Sequence, residues 1–398
     1  MEKYFACYVN SDLREKSSSG GIYPAIADYI LNINGVIYAS VYNDDFSVGF
    51  RRIDNKADIA KTYGSKYVQS SLGDTFKNIK KDLGCKNTVL FCGTPCQSAG
   101  LKAYLDKEKI DYSNLYTVDL FCHGVPSNKV WQKYLAQKAD GKNLLSVNMR
   151  SKKSGWSYYS YSFEYLFDNE KEYIRNTDET YMKGFVGNLY LRPSCYSCKF
   201  KGNLSSADIT LGDFWGVDRV LPNMDDNRGT SLMIVRTDKG IELLNALEKK
   251  ADLVIEQTDF ESMISYNNGL IAIPRKHILR KRFFNKLDTT DNISGLINSC
   301  LSVPIFFKII NKLKYKVCQP YKVHSKSKKI NDFVNGKIFD KSENCSGCTA
   351  CQSVCPKNAI SLQEDSEGFL YPVINYEKCI NCKKCLSVCP VKGKISEE

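Results

Sequence analysis

Eight of the 17 cysteines in this chain lie in one short stretch, as two copies of the same spacing. The first run is Cys345, Cys348, Cys351 and Cys355, and the second run is Cys379, Cys382, Cys385 and Cys389. In each run the gaps are two, two and three residues, and a proline follows the last cysteine. Four soft thiolates at this spacing can converge on one cubane of iron and sulfide. The stretch therefore predicts two [4Fe–4S] clusters and a chain that carries electrons.

The two runs also predict which cysteine binds which cluster. In bacterial-type ferredoxins with this spacing, the fourth cysteine of each run binds the other cluster. The expected ligands are Cys345, Cys348, Cys351 and Cys389 for the first cluster, and Cys379, Cys382, Cys385 and Cys355 for the second. A zinc ribbon also uses cysteine pairs two residues apart, but two regular runs that each end in proline favour iron–sulfur clusters.

Several other cysteines lie at positions where a parallel sheet commonly binds ligands. Cys92 and Cys122 stand at the carboxyl ends of two predicted strands, the edge at which open α/β sheets bind ligands. Cys96 begins the next predicted helix, where free amides favour a thiolate. Cys195 and Cys198 form a further pair, which alone is compatible with zinc or with a redox dithiol. Together these residues predict a third [4Fe–4S] site, whose fourth ligand is either Cys92 or Cys96.

His123 is the one candidate for a catalytic group. Beside Cys122 it could transfer protons near a redox centre, or it could be a packed structural histidine. The isolated cysteines are expected to be ordinary thiols, namely Cys7, Cys85, Cys300 and Cys318.

Two segments could hold phosphate, although no G-x-G-x-x-G motif of a Rossmann dinucleotide site follows a predicted strand. Residues 17–21, Ser-Ser-Ser-Gly-Gly, precede a predicted helix, so hydroxyls, glycine amides and the helix N-terminus could bind a flavin pyrophosphate. In residues 64–71, Lys66 could hold phosphate and Tyr67 could pack against a ring. On their own, the first segment would be a serine N-cap and the second a loop.

The elements that must position these groups follow from hydrophobic periodicity. Helices are expected at residues 22–31, 74–83 and 97–105, and strands at residues 36–42, 88–92 and 116–121. Alternating strands and helices predict an α/β fold with a mainly parallel sheet. Aromatic alternation over residues 158–167 predicts antiparallel strands farther on. The catalytic region is therefore expected to be α/β (α+β), followed by a small α+β ferredoxin-like domain.

Composition restricts the class and the compartment. The 398 residues are 43% hydrophobic, enough for two or three domains with their own cores. The first residues lack the apolar segment of a signal peptide, and the apolar run at 297–310 is too short to span a bilayer. An odd number of cysteines in ligand spacings favours a reducing compartment over disulfides. We therefore expect a cytoplasmic protein without a membrane span.

The formal net charge of +12 does not by itself predict nucleic-acid binding. Bound clusters, flavin phosphates and an acidic partner would balance much of the excess. The basic residues 275–282 are expected to form a solvated helix face, or a contact for an acidic partner or a coenzyme tail.

Six segments, taken in order, resemble the β-subunit family of coenzyme F420-reducing hydrogenases and dehydrogenases. They are residues 18–21, 64–70, 93–97, 122–127, 192–198 and 207–216, spread over roughly residues 5 to 300. The resemblance implies a flavin-containing iron–sulfur oxidoreductase, related also to 7-hydroxymethyl chlorophyll a reductase. Relatives of this kind often carry the ferredoxin module ahead of the Ser-Gly-Gly segment, whereas here it follows.

The resemblance also implies roles for individual residues. As FAD contacts it implies Ser18, Ser19, Gly20, Gly21, Ser65, Lys66, Tyr67, Gln69 and Ser70. As ligands of the inner cluster it favours Cys96, Cys122, Cys195 and Cys198, because Cys92 lies where the family pattern does not demand a cysteine.

Four segments are therefore predicted. Residues 1–125 would be the N-terminal flavin- and cluster-binding part of the catalytic region, and residues 126–322 its C-terminal part. Residues 323–337 are predicted to be a linker, and residues 338–398 the two-cluster ferredoxin domain.

The expected function is that of an anaerobic oxidoreductase in which electrons pass between the ferredoxin clusters, the inner cluster and FAD. Its partner would be a redox protein such as ferredoxin, or a small carrier such as deazaflavin F420 or NAD(P)H, and an organic substrate is a further acceptor. A non-catalytic subunit that delivers electrons to a separate enzyme is the alternative. A zinc-dependent interaction protein is the third hypothesis.

Overall fold

The computed structural model describes residues 2–202, 204–250, 252–302, 338–339 and 341–392. The linker predicted at 323–337 lies outside the described residues, as does Cys318. In the part of the chain that is described, no helix has both the length and the apolar character needed to cross a membrane.

The described part of the chain contains fourteen strands. They are β1 (Lys3–Val9), β2 (Val36–Tyr42), β3 (Val48–Ile53), β4 (Ser70–Ser71), β5 (Val89–Gly93), β6 (Leu115–Leu120), β7 (Leu144–Ser151), β8 (Ser162–Phe167), β9 (Lys171–Arg175), β10 (Ile209–Asp213), β11 (Ser231–Val235), β12 (Leu253–Thr258), β13 (Ile360–Glu364) and β14 (Leu370–Ile374).

The helices alternate with these strands. They are α1 (Asp12–Glu15), α2 (Ile22–Asn32), α3 (Thr75–Gly84), α4 (Pro95–Lys107), α5 (Asn128–Ala139), α6 (Thr180–Val186), α7 (Val217–Val220), α8 (Asp238–Lys250), α9 (Phe260–Tyr266), α10 (Arg280–Leu287), α11 (Ile293–Leu301), α12 (Ala350–Ser353) and α13 (Lys384–Ser387). The six elements predicted before residue 125 lie within two residues of their expected bounds.

A nine-stranded sheet forms the centre of the molecule, in the order β12-β1-β11-β10-β6-β5-β2-β3-β4. The four central strands β10, β6, β5 and β2 are parallel, which confirms the predicted sheet. The flanking pairs β10–β11, β11–β1, β1–β12 and β2–β3 are antiparallel. Strand β1 therefore runs in the same direction as the central strands. The carboxyl ends of these five strands meet at one edge, where Cys92, Cys96, Cys122 and the Ser-Gly-Gly loop lie.

The central sheet is covered on both faces, as the fully apolar β5 requires. Side chains alternate along this strand. Leu90 packs with residues of α2 and α8 on one face, and Phe91 packs with residues of α3 and α4 on the other. Strands β10, β11 and β12 come from the second predicted segment, so residues on both sides of position 125 build the same sheet.

A second sheet supports the same edge. Its strands β7, β8 and β9 are antiparallel, as the aromatic alternation over residues 158–167 predicted. This sheet packs with α5, α6, α10 and α11 in a core rich in aromatic side chains, which includes Trp131, Tyr165 and Phe283.

The ferredoxin-like part packs directly on α3 and α4. Ala350 and Val354 are buried in the same apolar cluster as Phe76 and Leu101. Its two-stranded β13–β14 sheet is antiparallel. The turn between these strands, residues 365–368, is called the hairpin turn below.

The hairpin turn is fastened to the start of α5 and to α10. The Ser127 hydroxyl donates to the carbonyl of Glu367 at 2.5 Å. The Arg280 guanidinium forms two bonds to the Glu367 carboxylate, at 2.5 and 2.8 Å. Gly368 has a φ of 84°, and a Cβ there would lie 2.4 Å from the Lys129 Cβ, so the turn needs glycine at this position.

One residue of the basic segment at 275–282 differs from the expected solvated face, whereas Arg275, Lys276, Lys281 and Arg282 are exposed. Helix α10 begins only at Arg280, and the Arg280 side chain is buried rather than solvated. The acidic group that it meets is Glu367 of the same chain. The sequence pattern could not separate this internal ion pair from an exposed basic face, because the two residues are far apart in the chain.

Candidate redox centre

The turn between β5 and α4 determines the position of Cys96. The Thr94 amide donates to the Gln97 side-chain oxygen at 2.9 Å, and the two residues form a capping box that starts α4. Cys96 therefore lies in the first turn of α4, close to the sheet edge. Its sulfur lies 3.2 Å from the Thr94 hydroxyl.

Four cysteines meet around one cavity at this edge. The lining includes Cys96, Cys122, Cys195 and Cys198. Burial raises the pKa of Cys96 to about 11 and that of Cys195 to about 12, and neighbouring thiols contribute to both shifts. Burial and the nearby Cys195 and Cys96 raise the pKa of Cys122. Four cysteine sulfurs around one cavity form a donor set that fits a cationic iron–sulfide core.

Backbone amides also point at these sulfurs. The Val125 amide donates to the Cys195 sulfur at 3.3 Å, and the Phe200 amide donates to the Cys198 sulfur at 3.4 Å. Such bonds to ligand sulfurs stabilise their negative charge and are one of the ways in which a protein tunes a cluster.

Cys92 lies apart from this group. Burial raises its pKa to about 12, and the charged groups that act on it are Asp119 and Lys66. Of the two alternatives for the fourth inner ligand, Cys96 therefore lies with the other three cysteines and Cys92 does not.

The eight ferredoxin-type cysteines form two groups that correspond to the predicted crossover. Burial raises the pKa of Cys348, and Cys389 and Cys345 raise it further. Burial also raises the pKa of Cys385, to about 11, with further contributions from Cys382, Cys355 and Cys379. This second group lines a cavity of its own. The fourth cysteine of each run thus lies with the other run.

No three described His, Cys, Asp or Glu side chains are close enough to hold a single metal ion. The ligands of a four-iron cluster surround its core, so they are spaced more widely than those around one ion. Cysteines that surround a cavity, close enough for one thiol to shift the pKa of another, are therefore arranged as the ligands of a cluster would be.

The first ferredoxin group adjoins the inner group across α4. Gly100 lies one turn after Cys96, and a Cβ on Gly100 would lie 2.8 Å from the Cβ and 2.9 Å from the sulfur of Cys348. Cys96 is also among the thiols that raise the pKa of Cys348. Cys382 of the second group is exposed. The three groups are therefore ordered from the sheet edge to the surface.

Arg192 lies between the first ferredoxin group and the inner group. Its side chain is fully buried. Its Nε donates to the Cys345 carbonyl at 2.9 Å, and its Nη2 donates to the Leu370 carbonyl at 3.0 Å. The guanidinium carbon lies 4.1 Å from the centroid of the Tyr371 ring. The residue thus joins the ferredoxin-like part to the rest of the molecule.

The Arg192 charge acts on both cysteine groups. Its Nη2 lies 3.7 Å from the Cys345 sulfur. Its positive charge also opposes the rise in pKa of Cys96 and of Cys195. Among the described residues no carboxylate pairs with this guanidinium, and its Nη1 is buried without a hydrogen-bond partner. Two anionic clusters on either side would compensate its charge.

The two segments expected to contact flavin meet each other. The Ser18 hydroxyl accepts from the Ser65 amide at 2.7 Å and lies 2.9 Å from the Ser65 hydroxyl. Gly20 packs against β1, where a Cβ would lie 2.4 Å from the Cys7 carbonyl oxygen, so no larger residue fits. Gly21 has a φ of 83° and immediately precedes α2.

Lys66 and Tyr67 have partners that the sequence did not indicate. The Lys66 ammonium donates to carbonyls of its own loop, and its closest acceptor is that of Tyr63 at 3.0 Å. Burial lowers the pKa of Lys66 to about 8. The Tyr67 ring packs 5.2 Å from that of Phe185. In the next part of the loop, the Ser70 hydroxyl accepts from the Gln97 side chain at 3.2 Å.

Two cations that the sequence reasoning missed complete this region. The Arg150 guanidinium pairs with Asp213 at 2.7 Å and donates to the Ser18 carbonyl at 3.0 Å. The Lys152 ammonium donates to the Ser19 carbonyl at 2.6 Å, and burial lowers its pKa to about 7. Their spacing of two residues at the end of β7 was an available signal, since it places both on one face.

Buried polar atoms without partners mark the same region. Among the described residues, Gln69 Oε1 and Arg150 Nε are buried and have no hydrogen-bond partner. Lys66 and Lys152 form no ion pair with any described carboxylate. Unpaired acceptors and donors, together with two ammonium groups whose hydrogen bonds all go to carbonyls, fit a bound polar anion such as a dinucleotide.

His123 is packed rather than open. Its ring lies 4.9 Å from that of Phe185, and its Nε2 is 2.7 Å from the Asn188 side-chain oxygen. Burial, followed by the charge of Lys201, lowers its pKa. It also lines the cavity of the inner cysteines. These contacts favour the structural alternative, and a catalytic role remains a prediction.

Comparison with known families gives three matches along the chain. The model for the N-terminal part of the coenzyme F420 hydrogenase/dehydrogenase beta subunit matches residues 4–77, and the model for the C-terminal part of the same protein matches residues 86–261. A 4Fe-4S dicluster domain matches residues 344–392.

Individual proteins give weaker likenesses. The coenzyme F420-dependent sulfite reductase of Methanocaldococcus jannaschii is 26% identical over 265 residues, which is 65% of this chain and 38% of that protein. The chain thus spans well under half the length of this relative. A chain of the F420-reducing [NiFe] hydrogenase complex from Methanosarcina barkeri is 20% identical, with a TM-score of 0.45 over 72% of this chain and 88% of that chain.

Proposed function

Because this chain belongs to the coenzyme F420 hydrogenase/dehydrogenase beta-subunit family and carries a 4Fe-4S dicluster domain, we propose that it is a flavin-dependent iron–sulfur oxidoreductase. Electrons would pass between the ferredoxin-type clusters, an inner [4Fe–4S] cluster and FAD, and to or from a two-electron carrier. The names of the family and of its relative make coenzyme F420 the first candidate for that carrier. NAD(P)H and an organic substrate are the other candidates.

One observation carries the proposal, namely that three groups of four cysteines lie in series. The exposed Cys382 belongs to the outermost group, and Cys348 of the next group adjoins α4. Cys96 of the inner group follows β5. On that strand, the positive charge of Lys66, from the second flavin segment, acts on the pKa of Cys92. This order supports a path from the protein surface to the loops that would hold the flavin.

The residues that would hold each group can be named. The two ferredoxin clusters would be held by the predicted crossover sets, and the inner cluster by Cys96, Cys122, Cys195 and Cys198. When bound, these clusters supply one-electron transfer, and the flavin interconverts one-electron and two-electron chemistry. FAD would be held by Ser18, Ser65 and the loop that precedes α2, and Lys152 would supply positive charge for its pyrophosphate.

Anaerobic reconstitution with iron, sulfide and FAD tests the proposal. Three four-iron clusters and one flavin correspond to about twelve irons and about one FAD per chain. A chain with about eight irons and no flavin would contradict it. The reconstituted protein would then be mixed with reduced F420, NADH and NADPH in turn, and bleaching of the flavin absorbance by one of them would identify the carrier. A stable complex with a partner enzyme, without turnover by the chain alone, would favour the electron-transfer role instead.

FAD affinity is expected to fall as the pH rises above neutrality. The pKa of Lys152 is lowered to about 7 without a bound anion, and a pyrophosphate beside it would raise that pKa. Below pH 7 the Lys152 ammonium is charged both in the free protein and in the FAD complex, so the affinity for FAD does not change with pH. Between the two pKa values the free protein must take up a proton to bind, so affinity falls by up to about tenfold per pH unit.

Fluorescence titration of the flavin-free protein with FAD, from about pH 6 to pH 9, would measure this slope. Lys152→Met is expected to bind FAD more weakly at low pH and to lose the slope. Lys153→Met is a matched control, because Lys153 is the exposed neighbour in the chain. An unchanged slope in Lys152→Met would exclude this lysine as the anion contact.

A further inference from the structure

The surface around the outer cysteine group combines exposed apolar side chains with lysines. On the loop that carries Cys379 and Cys382, Tyr376 is 55% exposed and Ile380 is 57% exposed. The rim is basic. Its exposed lysines are Lys357, Lys378, Lys383 and Lys384. We call the six residues Tyr376, Ile380 and these four lysines the lysine-rimmed patch.

The charges of this patch are not compensated within the described part of the chain. None of the four lysines forms an ion pair there, whereas the nearby Lys392 is used internally, by donation to the Ile338 carbonyl at 2.6 Å. Glu377 is the one acidic residue in the loop from Tyr376 to Lys384. An uncompensated cationic rim around an apolar centre attracts a partner of negative charge and lets it dock with little buried area.

The patch surrounds the cysteines that are most accessible from outside. Lys378 precedes Cys379, and Lys383 follows Cys382, which is itself exposed. The other ferredoxin-type group is covered by α4 and by Arg192. A protein that docks on the patch therefore comes closest to the outer group.

We propose that the lysine-rimmed patch is the docking site of a small acidic carrier protein that exchanges one electron at a time with this chain. The inference rests on the proposed function, because it requires a cluster in the outer group. In each encounter the carrier loses one electron and the chain gains it, or the reverse, and no bond forms and no proton moves.

The probe is an acidic plant-type [2Fe–2S] ferredoxin, used with the fully reconstituted chain. Calorimetry at low ionic strength measures the binding of oxidised ferredoxin, and stopped-flow absorbance measures oxidation of the reduced form. Lys378→Glu/Lys383→Glu is expected to weaken binding and to slow electron transfer by about tenfold or more, since steering by charge raises association rates by about 10 to 1,000-fold. Added salt is expected to weaken wild-type binding, because exposed charges are screened.

Lys3→Glu/Lys249→Glu is the matched control. It changes the net charge equally, and both lysines are exposed, Lys3 on β1 and Lys249 on α8, which packs on the face of the sheet away from α3 and α4. Reduction by the neutral propyl viologen sulfonate reports whether the clusters accept electrons at all.

Each outcome decides one point. Three results would overturn the docking site: wild-type binding and rates in Lys378→Glu/Lys383→Glu, an equal loss in the control variant, or no effect of salt on binding. In each of these cases the proposed function stands if the chain is still reduced by the viologen and has its full iron content. If the reconstituted wild-type chain holds no iron and is not reduced by the viologen, the proposed function is wrong, and the docking site is wrong with it.

Discussion

Cys96→Ala is expected to lower the iron content after reconstitution from about twelve to about eight per chain, whereas Cys92→Ala leaves it near twelve. The two thiols are four residues apart, and both have a pKa raised by burial. Only Cys96 shares a cavity with the other inner cysteines. Its loss therefore removes one ligand of the inner cluster, and Cys92→Ala removes none.

Iron and sulfide analysis, with paramagnetic resonance of the reduced protein, would measure this effect. The signals of the two ferredoxin-type clusters are expected to persist in both variants, because their eight ligands are untouched. Electron transfer from those clusters to the flavin should be lost in Cys96→Ala alone. If Cys92→Ala loses iron and Cys96→Ala does not, the ligand assignment is wrong. If neither loses iron, the inner cluster is not formed by this group.

Arg192→Met is expected to lower the potentials of both the inner cluster and the first ferredoxin cluster. Reduction adds negative charge to a cluster, so a buried cation nearby favours the reduced form. Removing it should lower each potential by about 60 mV, the equivalent of about 1.4 kcal/mol for one electron. The carbonyls of Cys345 and Leu370 would also lose their donors, so the ferredoxin-like part should dock less firmly.

Redox titration followed by paramagnetic resonance would measure these potentials. Arg192→Lys keeps the charge and loses the two-carbonyl geometry, so its potentials should stay close to wild type while its docking weakens. The second ferredoxin cluster, which lies farther away, provides an internal reference. Equal shifts of all three clusters would point to a general loosening of the protein and would contradict a local electrostatic role for Arg192.

The parts of the fold that the sequence predicted well are those defined by local spacing. The two cysteine runs, helix α4 that begins beside Cys96, and the apolar strands β5 and β6 each depend on residues that are close in the chain. Parallel pairing of β5 with β6 followed from their alternation with helices, and it brings Cys92 and Cys122 to one edge. In each case a short pattern is enough, because the structure concerned is local or follows a general rule of sheet topology.

The parts that the sequence did not predict depend on contacts between distant residues. Arg150 is 132 residues from its acceptor Ser18, and Arg192 is 153 residues from Cys345. No periodicity indicates which distant carbonyl a buried arginine will meet. The same reason explains why Lys66 was expected to face a phosphate, whereas its ammonium is bound by carbonyls of its own loop. The predicted roles of these residues toward FAD are still predictions.

The hairpin turn affects which half of the ferredoxin-like part faces the rest of the molecule. The two cysteine runs are near-equivalent halves of a duplicated unit, and an isolated duplicate has no chemical reason to present one half rather than the other to a neighbour. Glu367 and Gly368 help to break that equivalence, because their turn engages Ser127 and Arg280 while Cys345 contacts Arg192 and Cys348 adjoins α4. These contacts together give a pseudo-symmetric module a front and a back.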